Sequence, residues 1–257
     1  MDKELLYKTI FERKSVRKYD MTPLPAGTLE KIQEFADHLT SLDESIKYEC
    51  VFLGPKDVQN LLPLKAPHYI CLYSEKKNGY LMNAGYLLQQ VDLYLSANEI
   101  ASCWFGLAKP GRQVMEPKGD MEFVIMIAFG STSELVHRTD TSVFIRKSIT
   151  EISAIKGAEE ILEPVRLAPS ASNSQPWYFS GTPDEIHVSR EKPNFLKAPV
   201  YERLNQIDIG IALCHLWLSL EHHGRTAEMS FPGEKLPDGA EYMAKIIVGE
   251  QSDADKN

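Results

Sequence analysis

The sequence predicts an α+β fold made of two related halves in one chain, and three observations lead there. Short apolar runs of strand length recur at 48–53, 68–74, 121–130 and 243–249. Two longer stretches, 83–100 and 207–223, carry apolar residues almost all the way round, the pattern of helices buried in a core. Two segments also repeat. FERKSVRKY at 11–19 returns as FIRKSITEI at 144–152, and NAGYLLQQVDLYLSANEI at 83–100 returns as DIGIALCHLWLSLEHHGR at 208–225, displaced by 133 and 125 positions. Order, spacing and element type agree across both pairs, which points to duplication of one unit and to pseudo-two-fold packing of its copies.

The elements follow in order. A first helix is expected from Asp2 to Glu12, where Leu6 with Ile10 and Tyr7 with Phe11 pair four residues apart. After RKSVRKY and a turn at TPLPAG, Thr28 is the expected N-cap of a second helix with Leu29, Ile32, Ala36 and Leu39 on one face. Strands at 48–53 and 68–74 precede the first buried helix, and 121–130 reads as a central strand covered on both faces. A helix over 156–168 should be kinked or shortened by Pro164. A hairpin over 178–190, the second buried helix and a last strand at 243–249 complete the map. The halves are drawn at 1–140 and 141–250, with 251–257 as a disordered tail.

Bulk properties narrow the function. The chain has 257 residues, 43% of them hydrophobic and 25% charged, which is ordinary globular composition. A net charge of −8 argues against nucleic acid or an anionic membrane as partner. No apolar run reaches the roughly 18 residues of a membrane-spanning helix, and Met1 to Lys8 lacks the apolar centre of a signal peptide. The four cysteines form no Cys-x-x-Cys pair and no disulfide scaffold, so a reducing, cytoplasmic location is expected.

Two stretches carry chemistry. RKSVRK at 13–18 puts four cations in six residues of an acidic chain, either a solvated basic patch or a cradle for phosphate, whose oxygens the planar Arg fork matches. No Gly-rich phosphate loop occurs, so an anion here must be held mainly by side chains. PSASNSQPW at 169–177 lies between a helix and an aromatic strand. By itself it reads equally as a hydroxyl- and amide-rich turn leading to a core Trp177. Cys103, amid apolar residues with no histidine near in sequence, reads as a packed thiol. His215 and His222 share a helix face but no third ligand stands at zinc spacing, so no metal is expected. Without a Gly-x-Ser-x-Gly elbow, Ser170 and Ser172 are not expected to be hydrolytic nucleophiles.

Together, RKSVRKY, PSASNSQPW and a buried helix leading into ASCWFG resemble the flavin-dependent nitroreductase family, over about residues 3 to 249. The resemblance implies a nitroreductase-like fold and noncovalent FMN. Family members are intertwined homodimers in which one subunit supplies the Arg-rich motif and its partner the PSxxN run. Here that run stands in the second copy, and the matching stretch of the first, QEFADHLTSLDESI at 33–46, has no Pro, Asn or Trp. Thr150 stands where Arg17 would repeat. The resemblance is therefore to a fused, single-chain pseudo-dimer with a degenerate second half and one composite FMN site.

Carried over, it assigns Arg13 and Arg17 to the phosphate, with Lys14 and Ser15 at the ribityl chain or ring edge. Trp104, Gly106 and Leu107 would lie along the reactive edge, where the Gly106 backbone N–H would donate to flavin N5. Arg138, with His137, would complete the phosphate site, and Arg146 and Lys147 could reach it too. Pro169, Ser170, Ala171 and Asn173 would face the cofactor from the other half. The implied reaction passes hydride from NAD(P)H through flavin N5 to a nitroaromatic, quinone or similar acceptor by a ping-pong sequence, in a monomer. A flavin-binding or sensing protein without turnover, and a flavin-free protein in which both pockets are relics, are the alternatives.

Overall fold

The computed structural model describes residues 1–60, 64–114, 119–191, 198–231 and 240–250, without the side chains of 198–200. The tail at 251–257 lies outside the described residues. Contacts divide the chain into two compact units, one holding Met1 and Phe11–Val143, the other Asp2–Ile10 and Phe144–Asn257. The main stretches open at Phe11 and Phe144, the first residues of the two repeated motifs.

In the first unit, α2 (Ala26–Ala36) precedes β1 (Tyr48–Leu53), and the short β2 (Val58–Asn60) precedes β3 (His68–Glu75). Then come α3 (Tyr80–Ala97), β4 (Ala101–Phe105), β5 (Ala108–Pro110) and β6 (Met121–Gly130). An antiparallel sheet runs β1-β3-β6-β4, and β2 pairs with β5 as a separate ribbon. Side chains alternate across the sheet. Tyr69, Cys71 and Tyr73 of β3 cluster with Cys103 and Phe105 of β4 and with Met126 and Ala128 of β6 to form one core layer. β6 is interior, and Val124 through Gly130 are all buried, as its unbroken apolar run requires.

The second unit holds α1 (Lys3–Ile10), α4 (Ile149–Ile152), α5 (Glu159–Arg166), β7 (Trp177–Gly181) and β8 (Glu185–Arg190). It continues with α6 (Ala198–His222), β9 (Arg225–Ser230) and β10 (Glu241–Glu250). Its antiparallel sheet runs β7-β8-β10-β9. The route matches the first unit's: two hairpin-paired strands, a long buried helix, an edge strand, and a last strand that enters between the hairpin and that edge. Even the irregularities agree. The β3–β6 register slips between Leu72 and Tyr73, and the β10–β8 register slips between Tyr242 and Ala244.

Several expected boundaries move, each for a local reason. Thr28 is not the N-cap of α2; the helix opens at Ala26 behind Pro25, whose ring holds a φ of −55° suited to a helix start. α3 begins three residues early, at Tyr80, because Gly79 takes a left-handed φ of 80° just before it. α5 is shorter than expected, Glu159–Arg166, and contains Pro164 near its end. α6 begins nine residues before the expected 207. The hairpin at 178–190 forms as expected. Its Gly181 has φ 105°, and a Cβ there would sit 2.2 Å from the Glu185 carbonyl oxygen. Helix α1 does not stay with the first half as drawn. Leu6 and Ile10 are buried, the Tyr7 ring stacks on His222 with centroids 3.8 Å apart, and Lys3 pairs with Glu221 at 2.7 Å, so α1 packs along α6.

Candidate functional site

In the first unit, the basic motif leaves α1 and runs beside β4. The Val16 N–H donates to the Ser102 carbonyl at 2.9 Å, which fixes the register of Arg13 through Arg17. Arg13 is 2% exposed. Its Nε lies 2.5 Å from Asp92 Oδ2 on α3, and an Nη donates to Ser15 Oγ at 2.8 Å. Asp92 is itself fully buried and accepts the Ser102 hydroxyl at 2.6 Å. Arg138 joins the group: its backbone N–H donates to Glu12 and its guanidinium to the Arg13 carbonyl. Burial and the adjacent Arg13 charge pull the Arg138 guanidinium down to about 10. His137 bridges to Arg13 through the backbone and hydrogen-bonds the Ser96 carbonyl at 2.8 Å. Lys14 and Ser15 are half-buried and Arg17 is exposed.

Trp104 and Phe105 close β4, and Gly106 and Leu107 form the two-residue turn into β5. The expected loop at 104–107 is thus a strand end and a turn. Leu107 is 52% exposed, and the buried Trp104 indole N–H has no partner among the described residues. Burial raises the Cys103 thiol, against the pull of Arg17 and Arg13, which suits a packed sulfur rather than a nucleophile.

In the second unit, residues 169–175 form a tightly self-bonded loop. Ser172, Asn173 and Gln175 take φ values of 51°, 56° and 47°, the left-handed region that non-glycine residues seldom enter. Ser170 holds the turn by accepting the Asn173 N–H on its carbonyl and the Gln175 N–H on its hydroxyl, at 3.0 and 2.9 Å. The Ala171 N–H donates to the Asp208 carboxyl on α6 at 3.0 Å, and Ser172 Oγ meets the Tyr201 hydroxyl at 2.8 Å. Pro169 is buried at the loop's entry.

The second copy of the basic motif grips this loop. Arg146 Nη1 donates to Asn173 Oδ1 at 2.7 Å and its Nε to the Ala168 carbonyl at 3.1 Å, while Asn173 Nδ2 returns a bond to the Ile145 carbonyl at 2.9 Å. The Lys147 N–H donates to Gln175 Oε1 at 2.7 Å. Within this unit Arg146 and Lys147 therefore serve the loop. Sequence reasoning missed Asp92, Asp208 and this use of Arg146. The signal for the first two was available: a carboxylate in a helix apolar all round must find a partner or stay neutral.

Histidines have other work. His215 hydrogen-bonds the Pro164 carbonyl at 2.7 Å, and His222 meets Glu4 at 2.8 Å. Among the described residues, no helix is long and apolar enough to cross a membrane.

The basic residues of the first unit suit a phosphate-bearing group. The Arg138 guanidinium donates to the Arg13 carbonyl and feels the Arg13 charge, while Asp92 is taken up by Arg13; an added anion would relieve that repulsion. Gln175 Nε2 and Trp177 Nε1 in the second unit, and Trp104 Nε1 in the first, are buried donors without partners in the described structure.

The family described as "Putative TM nitroreductase" matches residues 5–220. A crystal structure described as that of "a putative nitroreductase" from Thermotoga maritima superposes with a TM-score of 0.62 at 23% identity, over 94% of this chain and 93% of that one. A nitroreductase family protein from Clostridium difficile aligns at 15% identity and TM-score 0.46, over 57% of this chain and 94% of its own. A nitroreductase with bound FMN from Desulfitobacterium hafniense aligns at 15% and 0.42, over 58% and 100%. No curated protein matches the chain.

Proposed function

The chain belongs to the family described as "Putative TM nitroreductase", and from that membership we propose that it is an FMN-dependent oxidoreductase with one cofactor per chain. The observation that carries the reading is the pairing of Arg138 with a buried Arg13 in the first unit, an anion site built without any Gly-rich loop. FMN, when bound, would supply the redox chemistry, taking hydride from NAD(P)H and giving it to a nitroaromatic, quinone or similar acceptor in a ping-pong sequence.

The chain's residues supply binding and order. Arg17, Arg138, Lys14 and Ser15 are assigned to the phosphate and ribityl groups. Arg13, already paired with Asp92, adds positive potential and holds the segment in register. Trp104 and Leu107 are assigned to the ring's flank, and the Gly106 backbone N–H to flavin N5. Pro169, Ser170, Ala171 and Asn173 are the second unit's contribution. With both Asn173 side-chain ends engaged by Arg146 and Ile145, that contribution falls to the loop's backbone and hydroxyls. The matched strand order, register slips and unit starts of the two halves support a fused duplication. We take the protein to act as a cytoplasmic monomer.

The test is direct. The freshly purified chain should show flavin absorbance, with one FMN released per chain on denaturation, and should oxidise NADH or NADPH steadily once menadione or a nitrofuran is added. Colourless protein that takes up no added FMN overturns the reading, as does an occupancy of two. Bound FMN with no turnover leaves the cofactor assignment and removes the activity.

A further inference from the structure

Asp208 is a buried carboxyl that the proposed reaction does not use. It is 3% exposed, and both oxygens lie near a single donor, the Ala171 N–H, at 3.0 and 3.2 Å. Asn205, one turn earlier on the same face of α6, is 4% exposed and its Oδ1 has no partner among the described residues. A buried carboxyl with one backbone donor beside it and no cation among its described partners is costly to ionise, which favours the neutral acid.

The first unit shows the neutral version of this device. Asn83 stands 125 positions earlier in the repeat, on α3, and is 1% exposed. Its Oδ1 accepts the Leu42 N–H at 2.8 Å and the Asp43 N–H at 3.4 Å. A side-chain oxygen on the buried helix thus holds an earlier loop in both units, from a carboxamide in one and a carboxyl in the other.

We propose that Asp208 is a proton-dependent positioning residue for the cofactor loop at 169–175. As the neutral acid it accepts the Ala171 N–H without placing a charge in the core. Loss of its proton to solvent leaves an uncompensated charge in the core and loosens the loop.

Burial pushes the Asp208 carboxyl up to about 8, with the Ala171 N–H opposing. Charged groups on the elements packed against α6 are paired with others: Arg166 with Glu163 on α5, Arg190 with Glu241 on the sheet, Lys3 of α1 with Glu221. In the loop's surroundings, Arg146 is bonded to Asn173. None of them acts on Asp208.

The inference rests on the FMN reading only for its ligand, so the test has two arms. In the first, FMN affinity of the full chain is measured by flavin fluorescence quenching from about pH 6 to about pH 9.5. The wild type should weaken about 10-fold through a step centred near pH 8, and Asp208→Asn should be flat at the tighter value. In the second, the melting midpoint is followed over the same range without flavin. It should fall with pH in the wild type, stay level in Asp208→Asn, and gain a second fall in Asn83→Asp. FMN binding with no step, or a step unchanged by Asp208→Asn, overturns the proposal, as does an Asp208→Asn chain that fails to fold. No FMN binding at any pH overturns the proposed function instead, and the melting arm still decides Asp208.

Discussion

The two copies of Arg-Lys-Ser meet opposite surroundings within the same strand order. Arg13 turns inward to a buried carboxylate and Ser15 accepts from it. Arg146 turns onto its own unit's loop, and Ser148 instead caps α4 in a reciprocal box with Glu151. Aligning the two similar helix segments locates the difference. The helix position that carries Asp92 in the first unit carries Trp217 in the second. Trp217 donates to Glu221 at 3.1 Å and lies under Lys3 of α1, with its ring centroid 5.1 Å from the ammonium. Without a carboxylate at that position, Arg146 has no buried partner there. The difference at that helix position accompanies the two fates of the tripeptide, a buried ion pair in one unit and a loop clamp in the other.

The largest expected effect breaks this contrast at its source. Arg13→Met strands Asp92 unpaired in the core and should cost about 3–5 kcal/mol in urea unfolding. Arg146→Met removes hydrogen bonds at a partly solvated site and should cost only about 1–2 kcal/mol. Equal losses would mean that the two arginines are equivalent after all. At the same position, Arg13→Ala should weaken FMN retention on dialysis by at least about 10-fold; a chain that stays fully yellow argues against any cofactor role for the motif.

Next in size is pH. A carboxyl raised from its ordinary value to about 8 leaves the native state holding a proton that the unfolded chain has released. Stability should therefore decline from about pH 4 upward and level off above about pH 8. Asp208→Asn should remove that decline, and its advantage over the wild type should grow towards alkaline pH. A parallel decline in both proteins would place its cause elsewhere.

The loops provide a smaller contrast. Ser172 and Asn173 are left-handed, whereas no residue from 39 to 46 is. Asn173→Val should cost about 1–3 kcal/mol from backbone strain and lost side-chain bonds, and Asn173→Gly less than Asn173→Ala. Glu44→Val in the first unit's loop should leave the unfolding curve nearly unchanged. Smallest of all is the rim of α1. Glu4, exposed and held below the ordinary carboxylate range by His222 and Lys8, contributes only above its lowered value. Glu4→Gln should flatten a shallow loss on acidification and lower stability at neutral pH only slightly, because the pair is exposed.

How legible this was depended on the range of the interaction. Strands at 48–53 and 121–130 and the two buried helices were readable because apolar periodicity is local. Boundaries slipped where one backbone residue ruled: Pro25 before α2, Gly79 before α3. Of the residues the motifs singled out, Arg13 and Arg138 meet in the first unit, and 169–175 folds into one self-bonded loop in the second. Their partners were not readable. Arg13 and Asp92 lie 79 positions apart, and nothing in either neighbourhood announces the other.

By itself, then, the sequence determined the pattern of buried faces, the repetition of that pattern and the motifs that carry the family resemblance, because each is written in neighbouring residues. Only the tertiary structure decided which arginine is buried, which carboxyl is left without a cation, and which unit keeps α1. Those outcomes depend on desolvation, and a charge loses its water only when distant segments close around it.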